Sequence, residues 1–174
     1  MANSFFMISL GFLFALIDFT VEGFDILPDI LGFVFFAIGL NALSVHNESF
    51  VKARNFNIAL IVFALLHFFT SKSINKFAFN RILDFIYFLL SLLVVYNIFN
   101  GIKDISSVRG KQHLYNEAEL RWKQYLMLHI AGFLSFILLI IPPLVVIYVL
   151  ALLILNILYV VKTMNFMKRC GEQL

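Results

Sequence analysis

The chain of 174 residues is 62% hydrophobic and 13% charged, with a mean hydropathy of +0.96. Soluble domains are about 45–50% apolar and about 25% charged, so this composition argues against a water-soluble globule and for a membrane protein. The excess of 13 Lys and Arg over 10 Asp and Glu is too slight and scattered for a nucleic-acid partner, and the single cysteine, Cys170, excludes an intrachain disulfide or a cysteine-based zinc site.

A helix rises about 1.5 Å per residue, so about 20 residues cross a hydrocarbon core of about 30 Å. Six stretches approach that length: 5–21, 29–45, 51–70, 82–100, 124–141 and 144–163. The expected fold is all-α, a single integral membrane domain over residues 1–174 with six transmembrane helices in three hairpins. The first Lys or Arg is Lys52, so the N-terminal run lacks the basic flank of a secretory signal and is expected to stay as a helix.

The stretch VEGFDILPDILGFVFF, from Val21, separates the first two spans. One helix from residue 5 to 45 would be about 60 Å long, twice the core thickness, so the chain must turn back. Gly23 and Pro28 mark the turn, because proline suits a first helical turn and pushes Leu27 out of α geometry. Asp29 then stands in the first turn of span two, where a negative charge meets the positive end of the helix dipole.

Asp84 near the start of span four does not exclude that span. An Asp costs about 2.5–3.5 kcal/mol at the bilayer centre, whereas the Leu, Ile, Val and Phe residues around it contribute roughly −4 to −8 kcal/mol together. Residues 101–123 read as a cytoplasmic loop without a phosphate-binding motif; within it NEAE resembles a capping box, Asn116 with Glu119, that would start the fifth helix. Trp122 and Tyr125 suit the headgroup layer, and the bases around them suit either that layer or an anionic lipid. Pro142 and Pro143 interrupt LLIIPPLVVIYV and predict another tight hairpin, with a kinked or re-entrant helix as the alternative. Short matches such as ILGFVFF at Ile30 and ILDFIYF at Ile82 agree with a repeated hairpin pattern.

With six spans both termini share a side. That side holds Lys52, Arg54, Lys103, Arg109, Lys111, Arg121, Lys123, Lys162, Lys168 and Arg169, against Lys72, Lys76 and Arg81 opposite. The positive-inside rule makes it cytoplasmic, in a plasma membrane. Asp18, Glu22, Asp25, Asp29 and Asp84 then gather at the outer end, with His67 at a similar depth. Three readings fit these six residues: a mouth for a cation or solute, a divalent metal site, or capping and hydrogen bonding at helix ends. His129, Asn41, Asn97, Asn100 and Asn156 are expected as hydrogen-bond partners between helices, and Gly11 with Ala15 as a close-packing seam.

No catalytic motif is present: neither G-x-S-x-G nor H-E-x-x-H occurs, so no enzyme activity and no cofactor are expected. FDILPDILGFVFFAIGLNAL followed by FVKARNF resembles the LPDxxGY...GL...L...AR pattern of small uncharacterised multi-pass membrane proteins of Gram-positive bacteria, with Phe33 in place of the tyrosine. The resemblance implies a bacterial membrane hairpin and carries no site residue. Substrate-binding subunits of energy-coupling-factor transporters are similar in size and span number only. The expected function is a non-catalytic membrane-embedded subunit or accessory protein, its partners the bilayer and other membrane proteins or a second copy. The alternative is a small transporter or its substrate-binding subunit, with the outer acids as its entrance.

Overall fold

A computed structural model describes the backbone of residues 1–16, 26–70, 77–138 and 142–174, and the side chains of 1–15, 30–65, 82–83, 85–132, 134 and 144–174. The described residues form six helices and no strand: α1 (Ala2–Leu16), α2 (Ile26–Leu43), α3 (Glu48–Thr70), α4 (Phe77–Val108), α5 (Gln112–Leu138) and α6 (Pro142–Gln173). Each helix packs against its neighbours in the chain, and α1 packs against α6, so the hairpins close into a ring.

Residues 101–123 are not a loop. The α4 helix runs on to Val108 and α5 begins at Gln112, because the intervening turn needs only three residues. Gly110 takes φ +64, Gly110 N–H donates to Ser107 O at 3.1 Å and Lys111 N–H donates to Ser106 O at 2.8 Å. This is a Schellman cap, which satisfies the last carbonyls of α4 with a left-handed glycine. Asn116 and Glu119 therefore lie inside α5 and do not start it. The cap that does form is Asn47, whose side-chain oxygen accepts Ser49 N–H at 2.7 Å and starts α3 at Glu48.

The core is continuous at the end of the ring that holds both termini. Phe5, Leu40, Phe50, Phe99, Leu114 and Phe166, one from each helix, are fully or almost fully buried there. Gly171 lies against Ala2, and the side chain of Leu174 is buried.

The α1–α2 seam is closer than the Gly11–Ala15 pair alone implies. A methyl group on Gly39 would stand 2.7 Å from Ser4 O, one on Gly32 would stand 3.2 Å from Gly11 O, and the Phe36 ring fills the space beside Gly11. Small residues let the two backbones approach, and Phe36 from α2 then occupies the notch in α1. Gly32, Gly39, Leu40 and Leu43 of α2 and Ala53 of α3, part of the LPDxxGY-like resemblance, are all buried. Arg54, the last of that pattern, ties α3 to α2 through Asn41 Oδ1 at 3.3 Å and Ser44 Oγ at 3.2 Å.

Among the described residues, two stretches are long and apolar enough to cross a membrane, Phe85–Val108 and Leu144–Gln173; the apolar helices Ala2–Ala15 and Ile30–Leu43 are shorter. The first half of α6 stands almost bare, with Val146, Ile147, Val149, Leu150, Ile154 and Leu158 all exposed. Large apolar side chains are exposed on every helix, from Phe6 on α1 through Ile38, Val62 and Leu89 to Met127 on α5.

Candidate functional site

Asp18, Glu22 and Asp25 lie outside the described residues. Asp29, His67 and Asp84 lie on α2, α3 and α4, but their side chains are outside the described set. Along their helices Asp29 precedes Phe33 by one turn, Asp84 precedes Tyr87 by one turn, and His67 follows Leu60 by two.

Phe33, Tyr87 and Leu60 line a cavity of about 130 Å³ in the middle of the ring. No sequence signal points to it, because a cavity is a property of how helices meet. Phe12 and Ala15 of α1, Phe36 of α2, Ser91, Val94 and Val95 of α4, and Tyr125 and His129 of α5 complete its wall. Aromatic rings brace the wall: Phe12 meets Phe36 edge-on with centroids 5.1 Å apart, and Phe33 meets Tyr87 at 5.8 Å. Rigid rings in contact resist collapse into the space between them.

Two polar groups in this wall have defined roles. His129 Nδ1 lies 3.0 Å from the carbonyl oxygen of Tyr125 on the same helix. A carbonyl only accepts, so Nδ1 carries a proton, and in the neutral form of the ring Nε2 is then the acceptor. The Tyr125 ring lies against this imidazole at 4.0 Å between centroids. Ser91 Oγ donates to Phe88 O at 2.8 Å, which leaves its lone pairs to accept. No Asp, Glu, Lys or Arg lines the cavity among the described residues, and no three His, Cys, Asp or Glu side chains converge among them to hold a metal ion. A mostly apolar cavity with a few placed polar atoms suits a small neutral guest.

The expectation of hydrogen bonds between helices holds for Asn100, which donates to Ser49 Oγ at 3.0 Å, and for Asn41, which accepts from Arg54. His129, Asn97 and Asn156 instead bond to carbonyls four residues earlier in their own helices, those of Tyr125, Leu93 and Leu152. An amide or imidazole in a helix can satisfy itself locally where no neighbour offers a partner.

A charged network ties the closed end. Glu117 accepts from Arg121 at 2.9 Å and from Arg169 at 2.6 Å, while Asp104 accepts from Asn47 at 3.2 Å and Ser49 at 3.1 Å. These groups pair with one another, so they read as a clamp on the helix ends.

Among the described residues, fold and site thus define a ring of helices around an aromatic cavity lined by no Asp, Glu, Lys or Arg. No protein family, no curated protein and no solved structure matches the chain.

Proposed function

We propose that the chain is a non-catalytic integral membrane protein that crosses the bilayer six times and holds a small neutral molecule in its central cavity, as a solute-binding subunit or small carrier does. The cavity carries this reading. At about 130 Å³ it is close to the roughly 150 Å³ of an engineered apolar cavity that takes up benzene. The Ser91 hydroxyl oxygen, and Nε2 of His129 in its neutral form, favour a guest with a hydroxyl or N–H donor.

Exposed apolar side chains on all six helices support the six spans, since water would disfavour such a surface and lipid would not. Helices shorter than about 20 residues fit where the bilayer thins or flanking residues snorkel. The charge asymmetry supports cytoplasmic termini in a bacterial plasma membrane, in keeping with the LPDxxGY-like resemblance. Asp18, Glu22, Asp25, Asp29, His67 and Asp84 are proposed as the rim through which a guest passes. Action through other membrane proteins or a second copy remains compatible with this role.

The test uses phenol and benzene as probes in thermal-shift assays of the purified protein. Phenol is expected to raise the unfolding temperature of the wild type more than benzene, and not that of Ser91→Phe, which fills the cavity. Equal, absent or Ser91→Phe-insensitive responses would remove the binding role. Uptake unaffected by both Asp18→Asn and Asp84→Asn would remove the acidic rim.

A further inference from the structure

A second recess lies on the outside of the ring, between α5 and α6, with a volume of about 220 Å³. Met127 and Leu128 from α5 face Leu155 and Leu158 from α6, and buried Tyr159 forms the floor. Lys162 and Gln124 close one end. The recess is therefore a groove, apolar along its length and polar at one tip.

The polar tip offers an ammonium and an amide donor. Arg121 Nη1 donates to Gln124 Oε1 at 2.8 Å, and a guanidinium can only donate, so the Gln124 amide N–H₂ is turned away from Arg121. Lys162 is exposed and makes no ion pair among the described residues. Nearby acids are already engaged: Glu117 by Arg121 and Arg169, and Glu119 by Lys123 at 2.7 Å. An ammonium and an amide donor above an apolar groove complement an anion that carries a hydrocarbon tail.

We infer that the α5–α6 groove binds one anionic phospholipid from the surrounding bilayer, its acyl chain lying along Met127, Leu128, Leu155 and Leu158 and its phosphate held by Lys162 and Gln124. The inference rests on the membrane reading above but not on the cavity. Lys162 stands at the end of the sixth expected span, where a long basic side chain reaches the headgroup layer. Basic pockets between helices at the cytoplasmic face are suited to acidic headgroups. The bound chain would cover part of α6, which its own bundle leaves bare.

The full-length protein, delipidated in mild detergent, is titrated with phosphatidylglycerol, with phosphatidylcholine of the same chains, and with inorganic phosphate, read by native mass spectrometry and thermal shift. Phosphatidylglycerol is expected to bind at least roughly fivefold tighter than phosphatidylcholine, the effect of one basic residue at a membrane surface. Lys162→Gln should abolish that preference, Lys162→Arg should keep it, and Lys123→Gln, at an exposed paired lysine nearby, should leave it unchanged. Leu158→Trp, which fills the groove, should weaken both lipids. Equal binding of the two lipids, an unchanged preference in Lys162→Gln, or stabilisation by inorganic phosphate alone would overturn the groove. Release of the protein from membranes by alkaline washing would instead overturn the membrane reading, so the two failures are distinct.

Discussion

Glu117 on α5 and Arg169 on α6 meet at 2.6 Å, although 52 residues separate them in the chain. The same carboxylate holds Arg121, whose side chain is only 10% exposed. Glu117→Gln leaves a largely buried guanidinium without its counter-charge and is expected to destabilise the protein by about 1–3 kcal/mol. Arg169→Gln removes a partner that is 44% exposed and should cost below about 1 kcal/mol. Thermal unfolding of the two variants in one detergent checks the order; a larger loss for Arg169→Gln would contradict it.

Gly39 in the α1–α2 seam and Gly132 on α5 predict opposite signs for substitution by alanine. Gly39→Ala places a methyl group against the backbone oxygen of Ser4, which cannot move aside without parting the helices, and should cost about 1–3 kcal/mol. Gly132→Ala, with no described atom within 4 Å of the new methyl, should gain about 0.5–1 kcal/mol from helix propensity. Chemical or thermal unfolding measures both.

Gly110 ends α4 with φ +64, a conformation that side-chain-bearing residues disfavour. Gly110→Ala should therefore lose about 1–2 kcal/mol, although open space surrounds the position. Asn, which tolerates this geometry, should lose less than Ala. Equal stability of Gly110→Ala and wild type would sink this account of the turn.

Cys170 suggests itself from the sequence as a topology probe, but it is fully buried in the closed end. An impermeant maleimide is expected to miss it in intact and permeabilised cells alike, and to label it only after denaturation. Topology is better read from Val45→Cys and Val108→Cys in a Cys170→Ala background, since those sites are 80% and 89% exposed. Both should react only after permeabilisation; reaction of either from outside would invert the proposed orientation.

The turns divide into those that sequence chemistry could locate and those it could not. The reversal between α1 and α2 was legible from length alone, whereas Leu27, expected outside α geometry, lies inside α2, and Gly23 lies outside the described residues. The polarity of residues 101–123 suggests a loop, but the α4–α5 turn occupies only residues 109–111. The rest continue α4 and α5 as polar ends of those helices, and Gly110 alone marks the reversal. Asn116 and Glu119 matched a capping box in spacing, yet Lys111 O already accepts Leu114 and Tyr115 N–H, so the helix had begun before them.

By itself the sequence determined the helical class, the six helices and their approximate centres, because apolar run length and turn chemistry are local properties of the chain. Tertiary structure alone decided that α1 closes on α6, that Gly32 and Gly39 join Gly11 in the seam, and that Ser91 and His129 share one cavity wall. Each of these depends on the rotation of one helix against another, and helices apolar on nearly every face carry almost no periodic signal of which side turns inward.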